Sequence, residues 1–293
     1  MKLQTLGMGL AATAIAGSAF AADLPSHKVA PAYVPPSPIM TWTGFYIGLN
    51  AGYTWSNSST NVSSVPVYQN AALSDFGISQ LNNITRGGSG VLGLNRNGFI
   101  GGGQIGWNWQ SGELLAGIEA DIQDVAGNDG TGSLSSSLPT SIAGTNTDSS
   151  ITTTGKLNYL GTLRGRVGYL VTPAALLYAT GGLAYGGVSS TTTISQFPQV
   201  PPSDVTPGFA STGSDSSTRL GWTAGAGVEY KFAPNWSAKL EYLYYDLGTV
   251  SYSAGVRAVA TNGGIPTWTH ESAASSSYRG NIVRVGMNYS FDW

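Results

Sequence analysis

From Thr43 onward, apolar residues recur at every second position, the period of a strand with two unlike faces rather than that of a helix. In TGFYIGLNAGYTW, Phe45, Ile47, Leu49, Ala51, Tyr53 and Trp55 fall on one face. Tyr46, Gly48, Asn50, Gly52 and Thr54 fall on the other. The pattern predicts eight strands, at approximately 43–55, 97–110, 113–125, 155–171, 175–188, 219–232, 236–247 and 279–293. In the fourth, Leu157, Tyr159, Leu163, Val167 and Tyr169 oppose Lys156, Asn158, Thr162, Arg164 and Arg166. The fifth alternates weakly, and its facing stays open.

The connectors alternate strictly between tight and long. Ser111-Gly112, Thr172-Pro173-Ala174 and Pro234-Asn235 are tight, with Gly and Pro at turn positions. The stretches 56–96, 126–154, 189–218 and 251–278 read as long loops rich in Ser, Thr, Gly and Asn. Antiparallel strands joined this way put every long loop at one end and every tight turn at the other. At ~3.3 Å per residue and a tilt of ~40°, a dozen residues span ~30 Å, enough to cross a membrane. Aromatics crowd the ends of the apolar face, among them Trp55, Trp107, Trp109, Trp222, Tyr230, Trp236 and Tyr242. Rings that bury their bodies and keep a polar edge wet belong at membrane interfaces. The expected fold is all-β, an eight-stranded antiparallel up-and-down transmembrane β-barrel. A soluble β-sandwich would not need an apolar, aromatic-ended face on nearly every strand.

Composition narrows this further. Charged residues are only 10% of 293, against about 25% in ordinary soluble domains, while Gly reaches 41. No apolar run beyond the N-terminus is long enough for a transmembrane helix. The net charge of −2 gives no footprint for nucleic acid. The first 21 residues read as a signal peptide: Lys2, an apolar stretch from Leu6 to Ala16, and Ala19-Phe20-Ala21 before the cut. Residues 22–42 form a linker with Pro25, Pro31, Pro35, Pro36 and Pro38, expected in the periplasm, and the barrel occupies 43–293. Cysteine is absent, so an exported chain must gain its stability without disulfides.

Candidate chemistry lies on the polar face. Glu119, Asp121, Glu229 and Glu241 stand against Arg164, Arg166, Lys231, Lys239 and Arg284, several at similar distances from the turns. An eight-stranded barrel is just wide enough for its own side chains. Charges held inside it must pair, so these nine residues are expected to form an interior ion-pair plug. The two histidines, His27 in the linker and His270 beside Glu271 and Ser272 in the last long loop, do not make a triad by adjacency. No metal-ligand spacing is present, and neither cofactor nor enzymatic activity is expected.

Gly101-x-Gly103-x-x-Gly106 has the spacing of a dinucleotide fingerprint. That fingerprint needs a strand ending at the first Gly and a helix after it. Here the glycines lie inside a strand that runs on through Trp107 and Trp109, so they read as curvature and room for large neighbours.

WTGFYIGLNAGY (42–53), YLGTLRGRVGYLVTPAALLYATGGLAYG (159–186) and WSAKLEYLYYDLG with RVGMNYSF (236–291) resemble the small outer-membrane barrels of alphaproteobacteria. These Gram-negative proteins are called porin-family or immunogenic outer-membrane proteins and are similar to the OmpA transmembrane domain. The resemblance implies insertion by the outer-membrane assembly machinery through a C-terminal signal, here Met287, Tyr289, Phe291 and Trp293, where Trp293 departs from the usual Phe. It also implies periplasmic termini, extracellular loops and outer-membrane lipid as surroundings. The leading expectation is a structural barrel and surface antigen that supports envelope integrity. The alternatives are a narrow porin for small solutes and a haemin- or surface-binding adhesin that takes host or environmental ligands at its loops.

Overall fold

The computed structural model describes residues 41–68, 75–139, 143–198, 209–262 and 265–291. The expected signal peptide, the proline-rich stretch through residue 40, His27 and Trp293 lie outside these residues.

Nine strands and one helix follow in order: β1 (Gly44–Tyr68), α1 (Asp75–Gly87), β2 (Gly90–Ser111), β3 (Leu114–Asn128), β4 (Gly130–Pro139), β5 (Asn146–Thr172), β6 (Ala175–Pro198), β7 (Phe209–Ala233), β8 (Trp236–Asn262) and β9 (Ile265–Ser290). All neighbouring pairs are antiparallel, and β1 pairs with β9 to close the wall, with Ile47 opposite Tyr289. The ring has eight positions because β3 and β4 share one: both pair with β5, first Leu114–Asp124 and then Gly130–Pro139. No helix among the described residues is long and apolar enough to cross a membrane.

Side chains alternate along the wall as the period of two requires. Leu49, Phe99, Ile118, Leu163, Leu183, Leu220, Leu240 and Val285 point outward and are exposed. The fifth expected strand, now β6, resolves the same way, with Leu176, Tyr178 and Thr180 inside and Leu177 and Leu183 outside. The tight turns fall at Gly112-Glu113, Pro173-Ala174 and Pro234-Asn235. Gly112 takes φ 62°, a left-handed conformation that glycine adopts without a Cβ clash. Glu113, the first residue of the expected strand 113–125, belongs to this turn.

The strands are far longer than the sequence pattern suggests. β1 runs 25 residues, β5 27 and β8 27, so most of the expected loops at 56–96, 126–154, 189–218 and 251–278 are a continuation of the wall. Beyond the aromatic level outward positions are mostly Ser, Thr and Asn, with a few apolar residues such as Val65 and Val91 among them. Inward positions there carry Thr60, Val62, Thr153, Thr192 and Ile194, all essentially buried. Their β-branched side chains suit a pleated wall.

Five tyrosines each lie over the glycine directly opposite on the next strand: Tyr46 over Gly106, Tyr159 over Gly187, Tyr178 over Gly227, Tyr185 over Gly161 and Tyr245 over Gly280. A Cβ on Gly106 would come within 2.4 Å of the Tyr46 ring. The last glycine of the apparent dinucleotide fingerprint is thus the seat of an aromatic ring. Gly102 is equally confined, because its Cβ would press on the β3 backbone, whereas Gly101 and Gly103 face outward with nothing close.

Candidate functional site

Alternation fills the bore in layers. Nearest the turns, Trp42, Leu115, Leu170, Leu176 and Tyr178 form an apolar cluster. Trp42 precedes β1 and folds back into the mouth, where its indole Nε1 donates to the Pro173 carbonyl at 3.0 Å. Its backbone N–H donates to Gln110 Oε1 at 3.0 Å. The sequence pattern places this residue at the end of a linker; the structure makes it a stopper.

Next along the strands comes a layer of charge. Arg164 Nη2 contacts Glu119 and donates to Asp121 Oδ2 at 2.9 Å, and its Nη1 donates to Glu241 Oε1 at 3.0 Å. Arg284 donates from Nε to Glu241 Oε2 at 2.7 Å and from Nη2 to Asp121 Oδ2 at 2.9 Å. Lys239 Nζ reaches both oxygens of Glu119, at 2.9 and 2.8 Å. Arg166 donates to Glu229 Oε2 at 2.7 Å. Hydroxyls and amides complete the carboxylates. The Tyr46 hydroxyl donates to Glu119 at 2.7 Å and that of Tyr178 to Glu241 at 3.0 Å. Ser237 and Asn288 donate to Glu229 at 2.6 and 2.7 Å. All eight charged groups are buried. Four carboxylates face four cations, so the layer is neutral as a whole, which is the condition for keeping charge out of water.

The structure thus brings together Glu119, Asp121, Arg164, Arg166, Glu229, Lys239, Glu241 and Arg284, drawn from β3, β5, β7, β8 and β9. Lys231 is placed differently. It is two residues nearer the turn than Glu229, and its ammonium donates to the Thr41 carbonyl at 2.6 Å and to that of Pro234 at 3.2 Å. It lies 5.1 Å from the Trp42 ring and so braces the stopper, a partner that the strand pattern alone does not reveal.

Past the charges, apolar clusters pack beside buried hydroxyls such as Thr54, Ser56, Thr60, Thr153 and Thr192. Ile100, Leu157, Leu160, Leu243, Tyr245, Leu247 and Ile282 pack there, followed by Val62, Leu92, Ile151, Ile194, Ala254 and Ala274. Leu157, expected on the outer face with Lys156 inside, is reversed: a register shift at Asn158 turns Leu157 inward and Lys156 outward. At the extended end α1 inserts Leu81 and Ile84, both buried. Among the contacts that hold it, Gln196 Nε2 donates to the Ile84 carbonyl at 2.9 Å, Asn83 Nδ2 donates to the Pro139 carbonyl at 2.8 Å, and Thr85 Oγ1 lies 3.0 Å from His270 Nε2. His270 is therefore a buried strand residue, not part of a flexible loop. Glu271 points to the opposite, exposed face, and Ser272 pairs with Ser64 at 2.7 Å, so these neighbours do not converge as a catalytic group.

The aromatic-belt residues Trp55, Trp107, Trp109, Trp222, Tyr230, Trp236 and Tyr242 all stand on the outer face and are exposed. Of the C-terminal group, Met287 and Phe291 are exposed, and Tyr289 packs edge-on against Trp236 at 5.2 Å and Phe291 at 5.1 Å.

Comparison with known proteins gives one consistent answer. Residues 10–291 match the family model described as outer membrane protein beta-barrel domain. The chain is 34% identical over 281 residues to a 31 kDa outer-membrane immunogenic protein of Brucella melitensis, covering 96% of each chain. It is 32% identical over 175 residues to a 22 kDa outer membrane protein of Rhizobium leguminosarum, covering 57% of this chain and 65% of that one. Among solved structures, OprG of Pseudomonas aeruginosa aligns over 85% of this chain and 97% of its own, at 10% identity and TM-score 0.36.

Proposed function

The chain belongs to the outer membrane protein β-barrel domain family and resides in the outer membrane, and from that premise we propose that it is a closed, structural barrel. In this reading it reinforces the envelope and displays its extended end at the cell surface as an antigen. The observation that carries the reading is the filled bore. The Trp42 stopper, the neutral charge layer, the apolar layers and α1 follow one another along the same strands. A conductive lumen would need an open water path, and the inward side chains along these layers are packed and buried. The word immunogenic in the names of the Brucella relatives supports display at the surface. No cofactor enters this reading, and the surrounding partners are outer-membrane lipid and the assembly machinery.

Deleting the gene tests the proposal. The deletion strain is expected to become sensitive to detergent and chelator, with resistance restored by the wild-type chain. Unchanged sensitivity, combined with slower uptake of small solutes, would instead favour the narrow porin.

A further inference from the structure

The junction of β3 and β4 is one of the places where the pairing of strands is interrupted. The β3–β5 ladder ends at Asp124 opposite Tyr159, and the β4–β5 ladder begins at Gly130 opposite Gly155. Val125–Asn128 stay paired with β2, so Lys156, Leu157 and Asn158 have no ladder partner across that edge. A cavity of about 20 Å³ lies at the break, with Arg96, Asn97, Gly127, Asp129, Lys156 and Tyr245 among its lining.

Arg96 is the group this cavity leaves uncompensated. It is 7% exposed. Its Nη2 donates to the Ser277 carbonyl at 2.6 Å, and its guanidinium lies 4.1 Å from the Tyr278 ring centre. Nη1 has no acceptor among the described residues. The phenols of Tyr278 and Tyr245 lie close to it, and no described carboxylate forms an ion pair with it. Asp129 at the mouth pairs with Lys156 at 3.8 Å, so its charge is already answered. Nη1 packs against Gly155, where a Cβ would come within 2.7 Å of it, so glycine is what lets the guanidinium lie at the break. The eight charges of the interior layer balance one another, whereas this buried cation, farther along the bore, has no counter-charge.

We propose that the break between β3 and β4 is a binding site for one small inorganic anion of halide size, held against Nη1 of Arg96. The cavity is small, which favours a monatomic anion over a bulkier tetrahedral oxyanion. Entry is lateral, at the gap that Lys156 and Asp129 line. Bound there, the anion neutralises Arg96 and ties the loose edge of β5 to β2.

The test is chloride-35 NMR of the refolded full chain in detergent. Wild-type protein is expected to broaden the chloride line saturably, with bromide displacing it and sulfate at equal ionic strength failing to do so. Arg96→Gln is expected to lower the broadening to the protein-free value, Arg96→Lys to retain part of it, and Arg279→Gln, on the exposed face, to leave it unchanged. Equal broadening in Arg96→Gln, or displacement by sulfate as readily as by bromide, would overturn the site. Should Arg96→Gln fail to refold, anomalous scattering from wild-type crystals soaked in bromide decides. A peak at hydrogen-bond distance from Nη1 supports the proposal, and bromide peaks only elsewhere, or none, overturn it.

Discussion

Removing the Glu119 carboxylate is the sharpest perturbation of the interior. In Glu119→Ala the Lys239 ammonium loses both of its Glu119 contacts, Arg164 loses one of its carboxylates, and the Tyr46 hydroxyl loses its acceptor. Arg166 and Arg284, whose nitrogens lie 3.7 and 3.5 Å from Glu119, lose part of their screening. Three carboxylates would then face four buried cations. Breaking a buried ion pair on one side costs about 3–5 kcal/mol, because the surviving charge stays out of water. The expected loss is therefore about 3–5 kcal/mol, read from urea titrations of folding into short-chain phosphatidylcholine vesicles by tryptophan fluorescence. The double variant Glu119→Leu with Lys239→Leu restores neutrality and fills the space with apolar volume. It should lose less than the sum of the two single variants by more than about 1 kcal/mol, the scale of coupling between residues in contact. A Glu119→Ala loss within about 0.5 kcal/mol of zero, typical of an uninvolved surface position, would refute the reasoning.

Other expectations follow from the wall. Leu240 points outward between Val228 and Val285, and Leu240→Arg should cost roughly 2–4 kcal/mol in the same titration, as a cation near the bilayer midplane does. An unchanged midpoint would put Leu240 on the wrong face. Gly106→Val should displace the Tyr46 ring and cost about 1–3 kcal/mol through overpacking, whereas Gly101→Ala on the open outer face should stay within about 0.5 kcal/mol. Equal effects at the two glycines would contradict the seat assigned to Tyr46. The folded barrel should run faster on gels unheated than boiled, and identical mobility would count against a stable closed wall.

How much could be read from the chain alone depended on what each face touches. Where the wall meets lipid, the contrast between Leu163 outside and Arg164 inside is maximal, so faces, turns and charge-bearing positions were legible. Beyond that band both faces carry Ser and Thr, the hydrophobic contrast fades, and strands such as Ser58–Val65 read as loop although they pair without a break with β2 or β9. The helix was missed for a related reason. Its apolar positions, Phe76, Ile78, Leu81 and Ile84, are spread among Ser, Gln, Asn and Thr and interrupted by Gly77, so they read as loop. The bulge at Asn158 shifts the period by one, which no count of alternating residues anticipates, and so Leu157 and Lys156 exchanged faces. Trp42 and Lys231 show a different limit. Their roles come from a chain end folding back into the mouth, a tertiary event with no local periodicity. The charge layer was legible as composition and height, but which cation meets which carboxylate depends on the register of five strands.

The central claim is that the bore is closed, and single-channel recording of the refolded chain in a planar bilayer tests it most directly. The filled interior predicts a silent bilayer in which protein insertion produces no stable openings at any salt concentration. Discrete, long-lived conductance steps that grow with salt concentration would contradict it and would mean that water and ions find a path past the Trp42 stopper and the charge layer.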